Sequence, residues 1–177
     1  MSTVSNAKTA GSKTKTIAIY AIFIALTYVC TWLINIRLPF VGSGGLIHLG
    51  NVPLFLGAFI YGRKTGAIAG GIGMGLFDLI SGWTAWAPFT LVIVGLMGYV
   101  SGMISEKLKV RPIIANTVAV IAALIIKIAG YYLAEGILFG NWVAPLGSIP
   151  GNIIQVATAG IIVIPFAGKL KQIAARY

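Results

Sequence analysis

The sequence predicts an all-α integral membrane protein: one bundle of six transmembrane helices with both termini on the cytoplasmic side. Three observations carry that expectation. Hydrophobic residues make up 58% of the 177 residues and charged residues only 9%, with a mean hydropathy of +0.96. A soluble domain of this size needs far more polar surface. Six spans of roughly 20 residues take about 120, which leaves no room for a separate soluble domain. Finally, eleven of the thirteen Lys and Arg sit where alternate apolar segments end, the positive-inside arrangement.

Taken in order, residues 1–16 are rich in Ser, Thr and Lys and read as a disordered basic tail, with 17–177 as the single membrane domain. The first span runs from Ile17 to Ile36 and is a retained helix, because no A-x-A-like cleavage site follows its apolar core. A loop from Arg37 to His48 holds Pro39, Gly42, Gly44 and Gly45. The second span, Leu49 to Tyr61, is short for a full crossing and either tilts or begins within the loop. Gly62 to Thr65 make a tight turn, and Gly66 to Ser81 form the third span. Gly62, Gly66 and Gly70, Gly71 and Gly75, and Gly98 and Gly102 recur at four-residue steps, which lets helices two to four pack closely. The segment Gly82 to Pro88 carries Trp83 and Trp86, residues suited to an outer interface. Span four is Phe89 to Ser105, followed by a basic loop, Glu106 to Pro112. Span five is Ile113 to Phe139, long enough to project beyond the bilayer. An outer loop, Gly140 to Ile149, leads to span six, Pro150 to Gly168, where Pro150 suits a first helical turn.

Several function classes are excluded or disfavoured. No Walker A sequence is present, and the run Gly71-Ile-Gly-Met-Gly75 lacks the spacing and preceding strand of a dinucleotide fingerprint. The net charge of +10 lies in short clusters beside apolar spans, where it sets topology and meets lipid headgroups, so nucleic acid is not an expected partner. One His and one Cys make a metal centre improbable and an intrachain disulfide impossible. A membrane enzyme is disfavoured too, since Ser43 is the only hydroxyl close to His48.

The polar residues inside the spans are the candidates for function. A Lys at the bilayer centre costs roughly 2.5–3.5 kcal/mol. Lys127 lies about 21 Å along span five from Ile113, and Tyr131 and Glu135 follow it at four-residue steps on one face. Lys127 and Glu135 are about 12 Å apart along the axis, too far for a direct pair, so each keeps bonding capacity for a ligand. Asn152 and Gln155 share a face near the outer end of span six, where amides can read a polar ring. Asp78, Trp83, Trp86 and Trp142 fall at about the same level, and His48 and Asn51 either line the same cavity or cap the second helix. Aromatic rings beside a few polar groups suit a small, flat, water-soluble molecule. In a stand-alone secondary transporter, the alternative class, Lys127 and Glu135 would instead serve a proton relay. On the first span, Ala18, Ala21 and Ala25 form a smooth strip on which another helix can lie.

These features together resemble the substrate-binding S components of energy-coupling factor (ECF) vitamin transporters. The resemblance runs from about Ile17 to Leu170. It rests on Ala21-x-x-x-Ala25, Gly45-Leu-Ile-His-Leu-Gly-Asn-Val-Pro53, Gly70-Gly-Ile-Gly-Met-Gly-Leu-Phe-Asp78, Trp86-Ala-Pro-Phe-Thr90, Lys127 with Glu135, and Ile149-Pro-Gly-Asn152 with Gln155. It implies a vitamin-binding subunit without cofactor or catalysis of its own. The first loop would close over the vitamin near the outer face. The alanine strip would meet a transmembrane coupling subunit that joins two ABC ATPases. The branch is most similar to S components assigned to hydroxymethylpyrimidine or pyridoxine. Pantothenate is the nearest rival, with Lys127 as its counter-ion, and riboflavin is less favoured.

Overall fold

A computed structural model describes residues 2–37 and 46–176, with side chains from Lys13 onward other than that of Arg37. Pro39, Gly42, Ser43, Gly44 and Gly45, and with them most of the loop expected to cover a ligand, lie outside the described residues. Six helices follow one another: α1 Ser2–Leu33, α2 Asn51–Tyr61, α3 Arg63–Ile80, α4 Ala87–Lys107, α5 Pro112–Phe139 and α6 Ile149–Ala174. Two three-residue strands, β1 Asn35–Arg37 and β2 Leu46–His48, pair antiparallel between α1 and α2, with Asn35 opposite His48. A 3-10 turn, Ala144–Ser148, leads into α6.

Four stretches are long and apolar enough to cross a membrane: Lys13–Leu33, Ala87–Lys107, Pro112–Phe139 and Ala144–Ala174. The other two helices are built differently. The 11 residues of α2 reach only about 16 Å, and the β1–β2 ribbon continues from its N-terminal end. Leu54, Phe55, Ala58 and Phe59 of α2 are at most 1% exposed, so this short helix is a core element, wrapped by the others rather than tilted against lipid. The 18-residue α3 carries five glycines and owes its place to close packing rather than to bulk hydrophobicity.

Successive helices run antiparallel, which gathers the clustered bases at one end and Trp83, Trp86 and Trp142 at the other. The turn at the basic end is tighter than its sequence suggested, because Gly62 alone makes it. Its φ of 95° lies where a side chain is strained. Its N–H closes α2 on the Ala58 carbonyl. Glu106 of α4 then caps α3, its Oε1 accepting from the Arg63 N–H at 2.8 Å while Oε2 lies 3.6 Å from Arg63 Nε. The glycine seam expected between helices joins α3 to α4. A methyl on Gly71 would sit 2.8 Å from the Leu91 carbonyl oxygen, and one on Gly98 or Gly102 would strike the backbone of Gly66 or Arg63.

The helix α1 begins at Ser2, within the stretch read as a basic tail. It contains no proline, and Ala7, Lys8, Ala10, Lys13 and Lys15 are good helix formers.

Candidate functional site

The tryptophan end encloses a cavity of about 60 Å³. Leu46 and His48 come from β2, Asp78 from α3, Trp83 and Trp86 from the α3–α4 turn with Thr90 from α4, Lys127 and Tyr131 from α5, Ser148 from the 3-10 turn, and Gly151, Asn152 and Gln155 from the start of α6. The four-residue step of α5 brings Lys127 and Tyr131 onto one wall, with the Lys127 Nζ 5.8 Å from the centre of the Tyr131 ring.

Lys127 is 2% exposed. Its Nζ donates to Gln155 Oε1 at 2.7 Å, and the Asp78 carboxylate acts on it electrostatically from across the cavity. The other half of the Gln155 amide, Nε2, donates to the Leu46 carbonyl. Gln155 therefore fastens β2 and Lys127 to α6, and keeps one Nε2 hydrogen and one Oε1 lone pair beyond these two bonds. Asp78 also receives the Thr90 hydroxyl, and Thr90 Oγ1 lies 3.0 Å from the Tyr131 hydroxyl. An ionised carboxylate can only accept. The chain therefore runs from the Tyr131 O–H to Thr90 to Asp78, which leaves the Tyr131 oxygen free to accept.

Asn152, 8% exposed, lines the cavity and hydrogen-bonds to no other described residue. It is the wall's uncommitted amide. His48 is held by its own turn, with the Gly50 N–H donating to Nδ1 at 3.2 Å. That bond leaves the proton of the neutral ring on Nε2. Burial first, and the nearby Lys127 charge second, hold the imidazole well below its ordinary pKa and keep it neutral. Trp83 and Trp86 meet edge to face at 5.2 Å, and Trp86 packs in turn on Phe139 at 5.8 Å.

Two expected site residues are not brought to the wall. Glu135 lies behind it, where its Oε2 accepts from Ser148 Oγ at 2.6 Å and the Trp86 indole also donates to the carboxylate. It braces the cavity rather than facing it, because the eight-residue step from Lys127 carries it past the cavity's end. Asn51 is wholly buried at the start of α2, and neither its Oδ1 nor its Nδ2 has a partner among the described residues. It does not line the cavity and makes no side-chain cap for α2. Trp142 is 51% exposed and packs on Tyr132 instead. Leu46, Thr90 and Gly151 line the cavity too, within stretches that carried the family resemblance but not as expected site residues, and Ser148 joins them with no sequence signal. Among the described residues, no group of three or more His, Cys, Asp or Glu could hold a metal ion.

The bundle and this chamber define a membrane-embedded binder of small molecules, with aromatic walls, one cation, one carboxylate and a free amide. Residues 11–172 match the family described as the S component of the ECF-type riboflavin transporter, and the chain belongs to this family of ECF transporter S components. It is 28% identical over 149 residues to the thiamine precursor transporter HmpT of Lactococcus lactis subsp. cremoris (strain MG1363), covering 84% of this chain and 82% of that one. It is 34% identical over 131 residues to an uncharacterized protein in the gap 3' region of Pyrococcus woesei, covering 72% and 83%. Its fold is similar to the structure of an S component of a bacterial ECF transporter, with a TM-score of 0.71 at 19% identity over 91% of this chain and 98% of that one. S components work with an ECF module of a transmembrane subunit and ATPases, so this is a transporter family rather than an enzyme family.

Proposed function

We propose that the protein captures a small single-ring vitamin or vitamin precursor, of the hydroxymethylpyrimidine or pyridoxine kind, in the cavity at its tryptophan end. The observation that carries this reading is the combination of size and lining. By the measure in which one water needs roughly 10–15 Å³, about 60 Å³ admits one ring with short substituents. A three-ring flavin needs more. Trp83, Trp86 and Tyr131 supply faces for the ring, and Asn152 and the Tyr131 oxygen read its substituents. Lys127 and Asp78 oppose each other across the site, so the lining favours a neutral or zwitterionic ligand. That weakens the case for pantothenate, whose carboxylate would compete with Asp78 for Lys127. The name of the Lactococcus relative points toward hydroxymethylpyrimidine.

The bound vitamin faces the outside of a prokaryotic cell membrane, and both termini lie in the cytoplasm with the basic end. The exposed alanines of α1, Ala18, Ala21 and Ala25, meet the coupling subunit. Two ABC ATPases attached to that subunit hydrolyse ATP, and this chain catalyses nothing.

Calorimetric titration of the purified chain with hydroxymethylpyrimidine, pyridoxine, pantothenate and riboflavin tests the substrate. One of the first two binds tightest, and Asn152→Ala weakens it about tenfold, the loss of one good buried hydrogen bond. Tighter binding of riboflavin or pantothenate to the same chain would remove the single-ring assignment.

A further inference from the structure

A second and larger cavity, of about 310 Å³, opens at the opposite, basic end between α4, α5 and α6. Its floor is apolar, with Phe59 from α2 and Val110 from the α4–α5 connection. Its polar groups are Ser105, Asn116, Lys171 and Gln172. Asn116 is 3% exposed and uses only its amide oxygen, which accepts from Ser105 Oγ at 2.8 Å. No described residue takes a hydrogen bond from its Nδ2, and that nitrogen is not among the fully enclosed unpartnered atoms, so its two donors face the cavity. The positive end of α5 forms one wall and the negative ends of α4 and α6, at Leu108 and Ala175, form others, so the cavity's positive charge comes from Lys171. Of the three carboxylates in the sequence, only Glu106 belongs to this end, and Arg63 engages it. The cavity thus offers donors and positive charge over an apolar base, at the level where lipid headgroups lie.

We propose that this cavity is a site for a phosphate ester, held by Lys171, the Asn116 amide and Gln172. Two sources share that chemistry: the headgroup of an anionic phospholipid and a free phosphate monoester. A phosphate pairs with an ammonium and amide donors through charge-assisted bonds, and basic pockets between helices at a membrane face suit anionic headgroups. The apolar floor accommodates the carbon skeleton attached to the phosphate. The site is independent of the vitamin cavity and does not rest on its assignment.

The test follows the thermal unfolding midpoint of the full chain in uncharged detergent during titration with phosphatidylglycerol, phosphatidylcholine or glycerol 3-phosphate. A saturable rise with phosphatidylglycerol but not phosphatidylcholine is expected. Lys171→Gln, a change at an exposed side chain, shifts its half-saturation at least about fivefold, as loss of a charge-assisted bond requires. Asn116→Leu does the same, and Lys109→Gln, outside the cavity, does not. An equal rise with glycerol 3-phosphate assigns the site to a soluble ester, and a rise with the lipid alone assigns it to the bilayer. The proposal is overturned by no rise with either anion. It is equally overturned by a rise that Lys171→Gln leaves intact or that Lys109→Gln lowers as much, since diffuse surface charge then explains it.

Discussion

Gln155 spends both ends of its amide on the protein, one on the Lys127 ammonium and one on the Leu46 carbonyl. A buried cation is tolerated only while its partners remain. Gln155→Leu is therefore expected to lower stability by about 2–3 kcal/mol, because it strands a buried donor. The double variant Lys127→Met with Gln155→Leu recovers the part of that loss owed to the stranded ammonium, while the Leu46 carbonyl and the Asp78 carboxylate still lose a partner. Chemical denaturation in detergent reads both values, and a double variant as unstable as the single one would reject the account. Lys127, Tyr131 and Asn152 were legible in the sequence because polar groups at helical spacing stand out in an apolar span. Ser148 was not, and Thr90 and Leu46 entered only within stretches that carried the family resemblance. Helices often absorb hydroxyls by bonding them to their own backbone, and a backbone carbonyl has no sequence signature. Asn51 misled because its place at a helix start suggested a cap, while its side chain lies enclosed in the bundle.

Among the elements, α3 and α4 depend most on the absence of side chains. Gly66 faces Gly98, and Gly71 faces the Leu91 backbone. Gly98→Ala would push the two backbones apart and is expected to cost about 1–3 kcal/mol, the usual penalty for overpacking. Gly75→Ala serves as its control, because the added methyl would lie 3.6 Å from Leu91 Cβ, an ordinary contact. Thermal unfolding compares the two, and equal midpoints would show that the seam is loose. Four-residue glycine spacing made this seam visible beforehand. The short length of α2 was visible too, but its central position was not. Hydropathy reports how apolar a segment is, not whether lipid or protein surrounds it. The three-residue strands were equally hidden, since so short a pairing leaves no alternation to detect.

At the scale of the whole molecule, the clustered bases lie at one end and Trp83, Trp86 and Trp142 at the other, and this polarity was the part most fully written in the sequence. Positive flanks recur at every second connection, so the alternation of the helices between two ends could be read without knowing a single contact. In the proposed assembly, the alanine strip of α1 is the face that meets the coupling subunit. Ala21→Trp is expected to leave vitamin affinity within about twofold, because Ala21 lies far from the cavity on an exposed face. Uptake by vesicles containing the complete ECF assembly should fall at least about tenfold, as a bulky ring denies close helix packing. Undiminished uptake would place the coupling face elsewhere. The ribbon of β1 and β2 adds a mechanical consequence. One of its strands continues α1, while the other lines the vitamin chamber and is tethered by Gln155 to α6. On the proposed docking through α1, news of an occupied chamber has only three residues of paired backbone to cross before it reaches that helix. By thermodynamic reciprocity, engagement of that helix must alter the grip on the cargo as much as cargo alters engagement.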